Sequence, residues 1–379
     1  MSSMSAKLAE RGENSNVSQH EQDEWFMRRC IQLALNAEGD TYPNPMVGAV
    51  VVHNGRIIGE GWHHRAGLPH AEVNAIASVH PMDLDLLPQS TIYVSLEPCA
   101  HFGRTPPCAD LIVRTGLKRV VVGCSDSFDK VNGKGIERIR EAGIDVTLGV
   151  LEPECRWLNR RFFTVQEKKR PYVILKWAQT YDHFIGKRDL NGLPQPMAIS
   201  NTLCMTSVHH QRGIEGGILV GGGTVRSDNS RLTCRLWPSQ HQPTRMILSP
   251  SLNIPEDVAM FCQEGQTLVF NGKREADYGS VKFIKVDFEA GREAEQVMQI
   301  ALNRGIQSVI VEGGAHTLSR FIKQGVWDEA YVYEGQQIVN TGVRAPVLSA
   351  LPDREVAMGW DCILRHYTRQ GSVPKSFAL

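Results

Sequence analysis

Three residues of metal-ligating type, His70, Cys99 and Cys108, constrain this chain more than any other feature of it. His70-Ala71-Glu72 follows Pro69 where a helical pattern begins, Glu97-Pro98-Cys99 closes a strand-like run, and Cys108 heads a second helical pattern. One ion can collect all three only if those helix starts lie beside that strand end, which layered α/β packing delivers. The surrounding pattern agrees: residues 47–52, 57–61, 91–95 and 119–123 read as strands, with helical stretches at 70–79 and 109–115 between them. Ahead of them Trp25, Phe26, Ile31, Leu33 and Leu35 recur at roughly helical spacing, and Thr41-Tyr42-Pro43-Asn44-Pro45 then breaks the helix into a rigid loop.

Three protein ligands leave the fourth tetrahedral position of a zinc ion open, and water held there ionises near neutral pH. Glu72 falls within a helical turn of His70, so its carboxylate can face that water without joining the ligand set. This is the His/Cys/Cys pattern of a zinc deaminase, in which one carboxylate carries protons from water to a ring nitrogen and then to the departing amine. A closed structural site would need a fourth Cys or His, and His101 is the only near candidate. Thr105-Pro106-Pro107 has the look of an N-cap with prolines in the first turn, which would set the Cys108 thiol at the positive end of a helix. Asn44, His64 and His101 flank the set as candidates for hydrogen bonding a heterocycle, Asn44 being braced between two prolines.

A chain of 379 residues exceeds one compact domain. The charged segment Gln166-Glu167-Lys168-Lys169-Arg170-Pro171 precedes a fresh apolar run, so the expected division is a polar tail at 1–22, a zinc-dependent deaminase domain at 23–168 and a second domain at 169–379. The 41 basic and 41 acidic residues cancel, and no Lys/Arg-rich run offers a footprint for nucleic acid. Nine cysteines, odd in number and without dense spacing, fit a reducing compartment, and a cytoplasmic location is expected. The first twenty residues lack an apolar signal core, and no apolar run is long enough to span a bilayer, so no membrane partner is expected.

In the second half, residues 172–175, 217–220, 244–248, 267–270 and 308–311 read as strands. Two of them run directly into glycine turns, Gly221-Gly222-Gly223-Thr224 and Gly313-Gly314-Ala315, which can aim backbone N–H groups at an anion. Neither is a G-x-G-x-x-G fingerprint, so an ordinary Rossmann site is not expected.

The stretches Pro43-Asn44-Pro45-Met46-Val47-Gly48, Ala66-Gly67-Leu68-Pro69-His70-Ala71-Glu72 and Leu96-Glu97-Pro98-Cys99 through Cys108 resemble the bifunctional deaminase/reductase family of riboflavin biosynthesis. The insert Gly103-Arg104-Thr105-Pro106-Pro107 between the cysteines separates them from Pro-Cys-x-x-Cys deaminases. The resemblance spans nearly all residues after Asp23. It implies a cytidine-deaminase-like three-layer domain followed by a dihydrofolate-reductase-like α/β domain. It also implies a substrate for the zinc site, 2,5-diamino-6-(5-phosphoribosylamino)pyrimidin-4(3H)-one, whose 2-amino group is hydrolysed. The second domain would then use NADPH to reduce the ribosyl group of 5-amino-6-(5-phosphoribosylamino)uracil to ribityl, hydride passing to C1′ of the ring-opened imine. A homodimer is implied as well.

By position, Ala178, Ala198, Thr224, Asp228, Gly314, Ala315, His316, Thr317 and Leu318 match the family's NADPH residues, and Arg212, Leu232, Arg235 and Glu312 its substrate residues. A guanidinium suits a ribose phosphate because it makes paired charge-assisted bonds. The chain departs from the family at His183, where glycine is usual, at Gly216-Gly217 for Asp-Ala, at Asn229-Ser230 for Asp-Pro, and at Asp126-Ser127-Phe128-Asp129-Lys130 for a stretch beginning Asp-Pro-Asn-Pro. Two alternatives stand beside this reading: a deaminase for a free base, nucleoside or tRNA, and a chain whose second half is a degenerate ligand-binding or dimerisation module.

Overall fold

The computed structural model describes residues 17–102, 106–127, 133–195, 197–239, 241–374 and 377. Most of the expected polar tail, Thr105 of the expected helix cap and residues 128–132 lie outside that set. The chain divides into two compact units, Met1–Asn159 and Arg160–Leu379.

The first unit comprises α1 (Gln19–Leu35), β1 (Gly48–His53), β2 (Arg56–Trp62), α2 (Ala71–Ala77), a 3₁₀ helix (Pro81–Gln89), β3 (Thr91–Leu96), α3 (Cys108–Thr115), β4 (Arg119–Cys124), α4 (Lys134–Glu141), β5 (Asp145–Leu148) and α5 (Glu152–Leu158). Ser18 starts α1 with a capping box, its hydroxyl accepting the Glu21 N–H while the Glu21 carboxylate accepts from Ser18. The strands form one sheet in the order β2-β1-β3-β4-β5, antiparallel through β2-β1-β3 and parallel from β3 to β5. Because side chains alternate along a strand, Ala49, Val51, Ile92, Val94, Val120 and Val122 face Ala75 of α2, Ile112 of α3 and Ile139 of α4. The opposite face carries Tyr93, which packs on Phe26 of α1 with ring centroids 5.0 Å apart. Both faces are thus covered, which is the expected three-layer architecture. Asp23 locks α1 in place: Arg119 grips both its oxygens at 2.8 Å and the Tyr93 hydroxyl donates at 2.8 Å.

The second unit comprises α6 (Arg160–Lys168), β6 (Tyr172–Gln179), β7 (Phe184–Arg188), β8 (Pro194–Gln195), α7 (Thr202–Ile214), β9 (Gly217–Gly221), α8 (Gly222–Asp228), β10 (Thr244–Leu248), β11 (Thr267–Asn271), β12 (Ala276–Tyr278), β13 (Val281–Lys285), α9 (Glu293–Asn303), β14 (Ser308–Val311), α10 (Ala315–Gln324), β15 (Glu329–Gly335), β16 (Val343–Arg344), β17 (Arg354–Ala357) and β18 (Cys362–Thr368). Its main sheet runs β12-β13-β11-β10-β9-β14-β6-β15-β18-β17, parallel from β13 to β15 and closed by antiparallel edges. One face buries Leu219, Met246, Leu268 and Val309 against Val297 and Met298 of α9 and Phe321 of α10. The other buries Ile218, Val220, Ile247 and Val269 against Val225 of α8, Leu232 and Met260. This is the dihydrofolate-reductase-like half.

Along the chain the division falls ahead of the charged segment that sequence alone suggests as a linker, because α6 is drawn into the second unit by buried charges. Arg160 donates to Glu329 at 2.5 Å, Arg161 grips Glu215, and Lys168 and Arg170 both hold Asp328. Glu329 is fully buried and also takes bonds from Tyr172, Tyr331 and His366.

Candidate active site

His70 is the N-cap of α2 and Cys108 the first residue of α3, while Cys99 follows the end of β3. Their donor atoms all lie within 4.8 Å of one another. His70 Nδ1 is 3.6 Å from Cys99 Sγ and 3.3 Å from Cys108 Sγ. A tetrahedral zinc with ordinary N and S bond lengths sets its ligands about 3.6 Å apart, so the set fits the ion. Cys99 Sγ also accepts the Cys108 backbone N–H at 3.3 Å. The Cys108 thiol, acting against burial and helped by the His70 ring and that backbone bond, holds the Cys99 thiol far below its usual range. The structure corrects one expectation here: Pro107 occupies the cap position with no side-chain bond and α3 begins only at Cys108, so the prolines precede the helix instead of forming its first turn.

Glu72 lies in the first turn of α2 and is 3% exposed. Burial pushes its carboxyl up to about 7. What brings α2 so close to the sheet is glycine: a Cβ at Gly61 would stand 2.4 Å from the Ala75 nitrogen. Any side chain there would lift the helix carrying His70 and Glu72 off its strand.

Asn44 donates through Nδ2 to His63 Nε2 at 3.1 Å, and His63 Nδ1 donates to the Pro69 carbonyl at 3.1 Å. The His63 ring meets His70 edge-on at 5.4 Å. Sequence reasoning selects His64, but the exposed His64 ring stacks on Trp62 at 4.3 Å while buried His63 stands at the site. Alternation along the end of β2 is the signal that separates the two neighbours. His101 follows Cys99 closely and is half-buried. A second residue that sequence reasoning missed is Glu97, whose buried carboxylate accepts the backbone N–H groups of Asp126, Gly133 and Gly135 at 3.2, 3.0 and 3.0 Å. It ties the turn before α4 to the strand end that carries Cys99.

In the second unit the two glycine turns follow β9 and β14, which pair in parallel, so both open at the carboxyl ends of adjacent strands. Ligand crevices of open parallel sheets form at such ends. The turns are in contact: a Cβ at Gly313 would fall 2.5 Å from Val220 Cα, and one at Gly314 would be 3.1 Å from Thr224 Oγ1. A helix that starts just after glycine, as α10 does, can offer its first backbone N–H groups to a phosphate. Ala315 is half-buried and His316 exposed there, whereas Thr317 packs beside Gly221 and Leu318 is fully enclosed in the core, so Leu318 has only its backbone to offer. Asp228, the last residue of α8, is exposed, as is Ala198.

Beside these turns Arg212 of α7 makes a two-pronged bond to Glu312, 3.1 and 2.8 Å long, and Lys176 Nζ stands 3.9 Å from the same carboxylate. Burial alone would raise the Glu312 carboxyl, but the Arg212 and Lys176 charges overcome it and hold it down at about 2. Burial lowers Lys176, against Glu312, which opposes it. Ala178 lies two residues along β6 from Lys176, Leu232 is buried and Arg235 is exposed. Asp182 is engaged structurally, accepting the Val339 and Asn340 N–H groups at 3.1 and 2.7 Å. His183 sits at φ +65°, the left-handed region that explains why glycine is usual there.

Fold and site together define a class: a zinc-binding deaminase domain joined in one chain to a dihydrofolate-reductase-like reductase domain. Residues 20–124 match the cytidine and deoxycytidylate deaminase zinc-binding region, and 171–339 match the RibD C-terminal domain. The riboflavin biosynthesis protein RibD of Aquifex aeolicus is 39% identical over 85% of this chain and 89% of that protein, and RibD of Bacillus amyloliquefaciens is 38% identical over 86% and 87%. The solved structure of a diaminohydroxyphosphoribosylaminopyrimidine deaminase/5-amino-6-(5-phosphoribosylamino)uracil reductase from Thermotoga maritima is 38% identical, covers 92% of this chain and 99% of its own, and superposes with a TM-score of 0.81. The chain belongs to the RibD family of bifunctional riboflavin-biosynthesis enzymes, with a zinc-binding deaminase domain and an NADPH-dependent reductase domain. No helix among the described residues is long and apolar enough to cross a membrane.

Proposed function

We propose that the first domain hydrolyses the 2-amino group of 2,5-diamino-6-(5-phosphoribosylamino)pyrimidin-4(3H)-one to a carbonyl, releasing ammonia. The second would then reduce the ribosyl group of the resulting 5-amino-6-(5-phosphoribosylamino)uracil to ribityl. The observation that carries this reading is the convergence of His70, Cys99 and Cys108 on one ion-sized space beside an enclosed carboxylate, Glu72. Zinc in that space supplies a Lewis acid that lowers the pKa of water. Glu72 takes one proton from the attacking water and gives it to the ring nitrogen, then takes the second from the hydroxyl left on the attacked carbon and gives it to the departing amine. Enclosure suits this work, because a carboxyl whose pKa is raised toward neutrality both accepts and returns protons. Asn44, with one N–H spent on His63, keeps its carbonyl oxygen for a donor on the heterocycle. His63 and His101 complete the rim of the proposed pocket, and His64, stacked on Trp62, stands outside it.

In the reductase, NADPH would lie across the turns that hold Thr224, Gly314, Ala315, His316, Thr317 and Leu318, with Ala178, Ala198 and Asp228 alongside, and supplies hydride to C1′ of the ring-opened imine. Arg212, Leu232, Arg235 and Glu312 would receive the substrate, with Arg235 turned to its phosphate. Since Arg212 is committed to Glu312, the exposed Arg235 is the arginine with a guanidinium to spare for phosphate. The same proposal puts the working protein in the cytoplasm as a homodimer, with the deaminase in the first unit and the reductase in the second.

The test supplies zinc-loaded protein with the diamino substrate and NADPH, following ammonia and NADPH absorbance together. Ammonia release followed by stoichiometric NADPH loss is the expected course. Ammonia without NADPH loss would refute the reductase half, and neither would refute the substrate.

A further inference from the structure

His209 and Arg212 lie one turn apart on α7, both buried, and both reach the segment that runs from Leu232 to Arg235. Arg212 Nη1 donates to the Thr233 carbonyl at 3.3 Å. His209 Nδ1 accepts the Arg235 backbone N–H at 2.8 Å, and the His209 carbonyl accepts from the Cys234 thiol at 3.1 Å. A backbone N–H can only donate, so Nδ1 carries no proton and the ring hydrogen is on Nε2. Among the described residues that Nε2 is buried and has no hydrogen-bond partner. A buried donor left unpaired is a cost that leucine at the same place would avoid. What histidine supplies in its place is the Nδ1 acceptor. The Arg235 side chain follows from its backbone, Nη1 donating to Thr233 Oγ1 at 2.8 Å within the same segment. Burial, and behind it the charges of Arg212 and Arg235, pushes the ring down to about 4, so the acceptor persists at neutral pH and no further positive charge is added.

We propose that His209 is a positioning residue of the reductase: by accepting the Arg235 amide it pins the Leu232-to-Arg235 segment to α7 and sets the Arg235 guanidinium for a phosphorylated sugar chain. This rests on the proposal above that Arg235 meets the substrate phosphate. A ring acting through Arg235 should govern affinity for the phosphate and leave hydride transfer alone.

The test is steady-state NADPH oxidation by the full-length protein on the phosphorylated ribosylaminouracil and on its dephosphorylated counterpart, with the calorimetric transition of the second unit as the control for folding. His209→Leu is expected to raise KM for the phosphorylated substrate about tenfold, with kcat within about twofold. His209→Asn, whose Oδ1 stands where Nδ1 stood, is expected to restore most of that loss, and the dephosphorylated substrate should have one KM in all three proteins. A wild-type KM in His209→Leu, or an equal rise for both substrates, overturns the role. Should His209→Leu fail to fold, His209→Gln replaces it, since its carbonyl reaches past the Nδ1 position: a KM equal to that of His209→Asn overturns the proposal. Wild-type protein that oxidises no NADPH overturns the underlying reading and this inference together.

Discussion

The proposed mechanism has Glu72 act from inside the protein, where it is 3% exposed, so its replacement should separate chemistry from metal binding. Glu72→Gln keeps shape and leaves His70, Cys99 and Cys108 in place; zinc content by elemental analysis is expected to be unchanged while ammonia release falls by about 10²- to 10⁴-fold. In the second unit Arg212→Met would leave Glu312 buried with only Lys176 at 3.9 Å, a loss of about 3–5 kcal/mol by denaturant melt, whereas Glu312→Gln paired with Arg212→Met should recover part of it. Acid should loosen this unit in two steps. His209 refuses a proton down to about 4 while the unfolded ring accepts one near 6.5, so stability falls as pH drops through that interval. Glu312 is depressed to about 2 from 4.5, so its contribution is full above 4.5 and is lost on further acidification toward 2. Urea melts from pH 8 to 3 check both signs. At this scale the ligand trio was legible because its chemistry dictates residue type and spacing. His63 was not, because choosing between adjacent histidines requires knowing which way β2 turns its side chains at Trp62.

At the scale of elements, α2 is only as useful as its seat on β1 and β2. Gly61→Val is expected to displace α2 and with it His70, weakening zinc retention against a competing chelator far more than Gly55→Ala, where a Cβ meets nothing. Gly55 has φ +76°, so the comparison isolates contact from backbone strain. Strands such as Thr244–Leu248 and Ser308–Val311 were readable to the residue, since a buried parallel strand is a short apolar run between turns. Elements with mixed faces were not: α4 carries Lys134, Glu137, Arg138 and Arg140 around only Ile136 and Ile139, and β5 has no fully buried residue. Their places come from contacts made late in the chain's topology, which local pattern does not carry.

Across the whole molecule the two units answer to different ligands, so their stabilities should separate. Zinc removal is expected to lower the melting of the first unit alone, and NADPH at 100 times its Kd to raise that of the second by about 2.7 kcal/mol, as two calorimetric transitions moving independently. The division into two α/β halves was visible in the sequence, but the role of α6 was hidden, because Arg160 and Arg161 look like surface residues until Glu329 and Glu215 are seen to be buried. The central claim is that one chain holds two separable chemistries. It is tested most directly by giving zinc-loaded Glu72→Gln protein the deaminated product, 5-amino-6-(5-phosphoribosylamino)uracil, with NADPH, and in a second cuvette the diamino substrate. NADPH oxidation at the wild-type rate in the first and no ammonia in the second is the expected result; undiminished ammonia release, or loss of both activities in a folded protein, would contradict it.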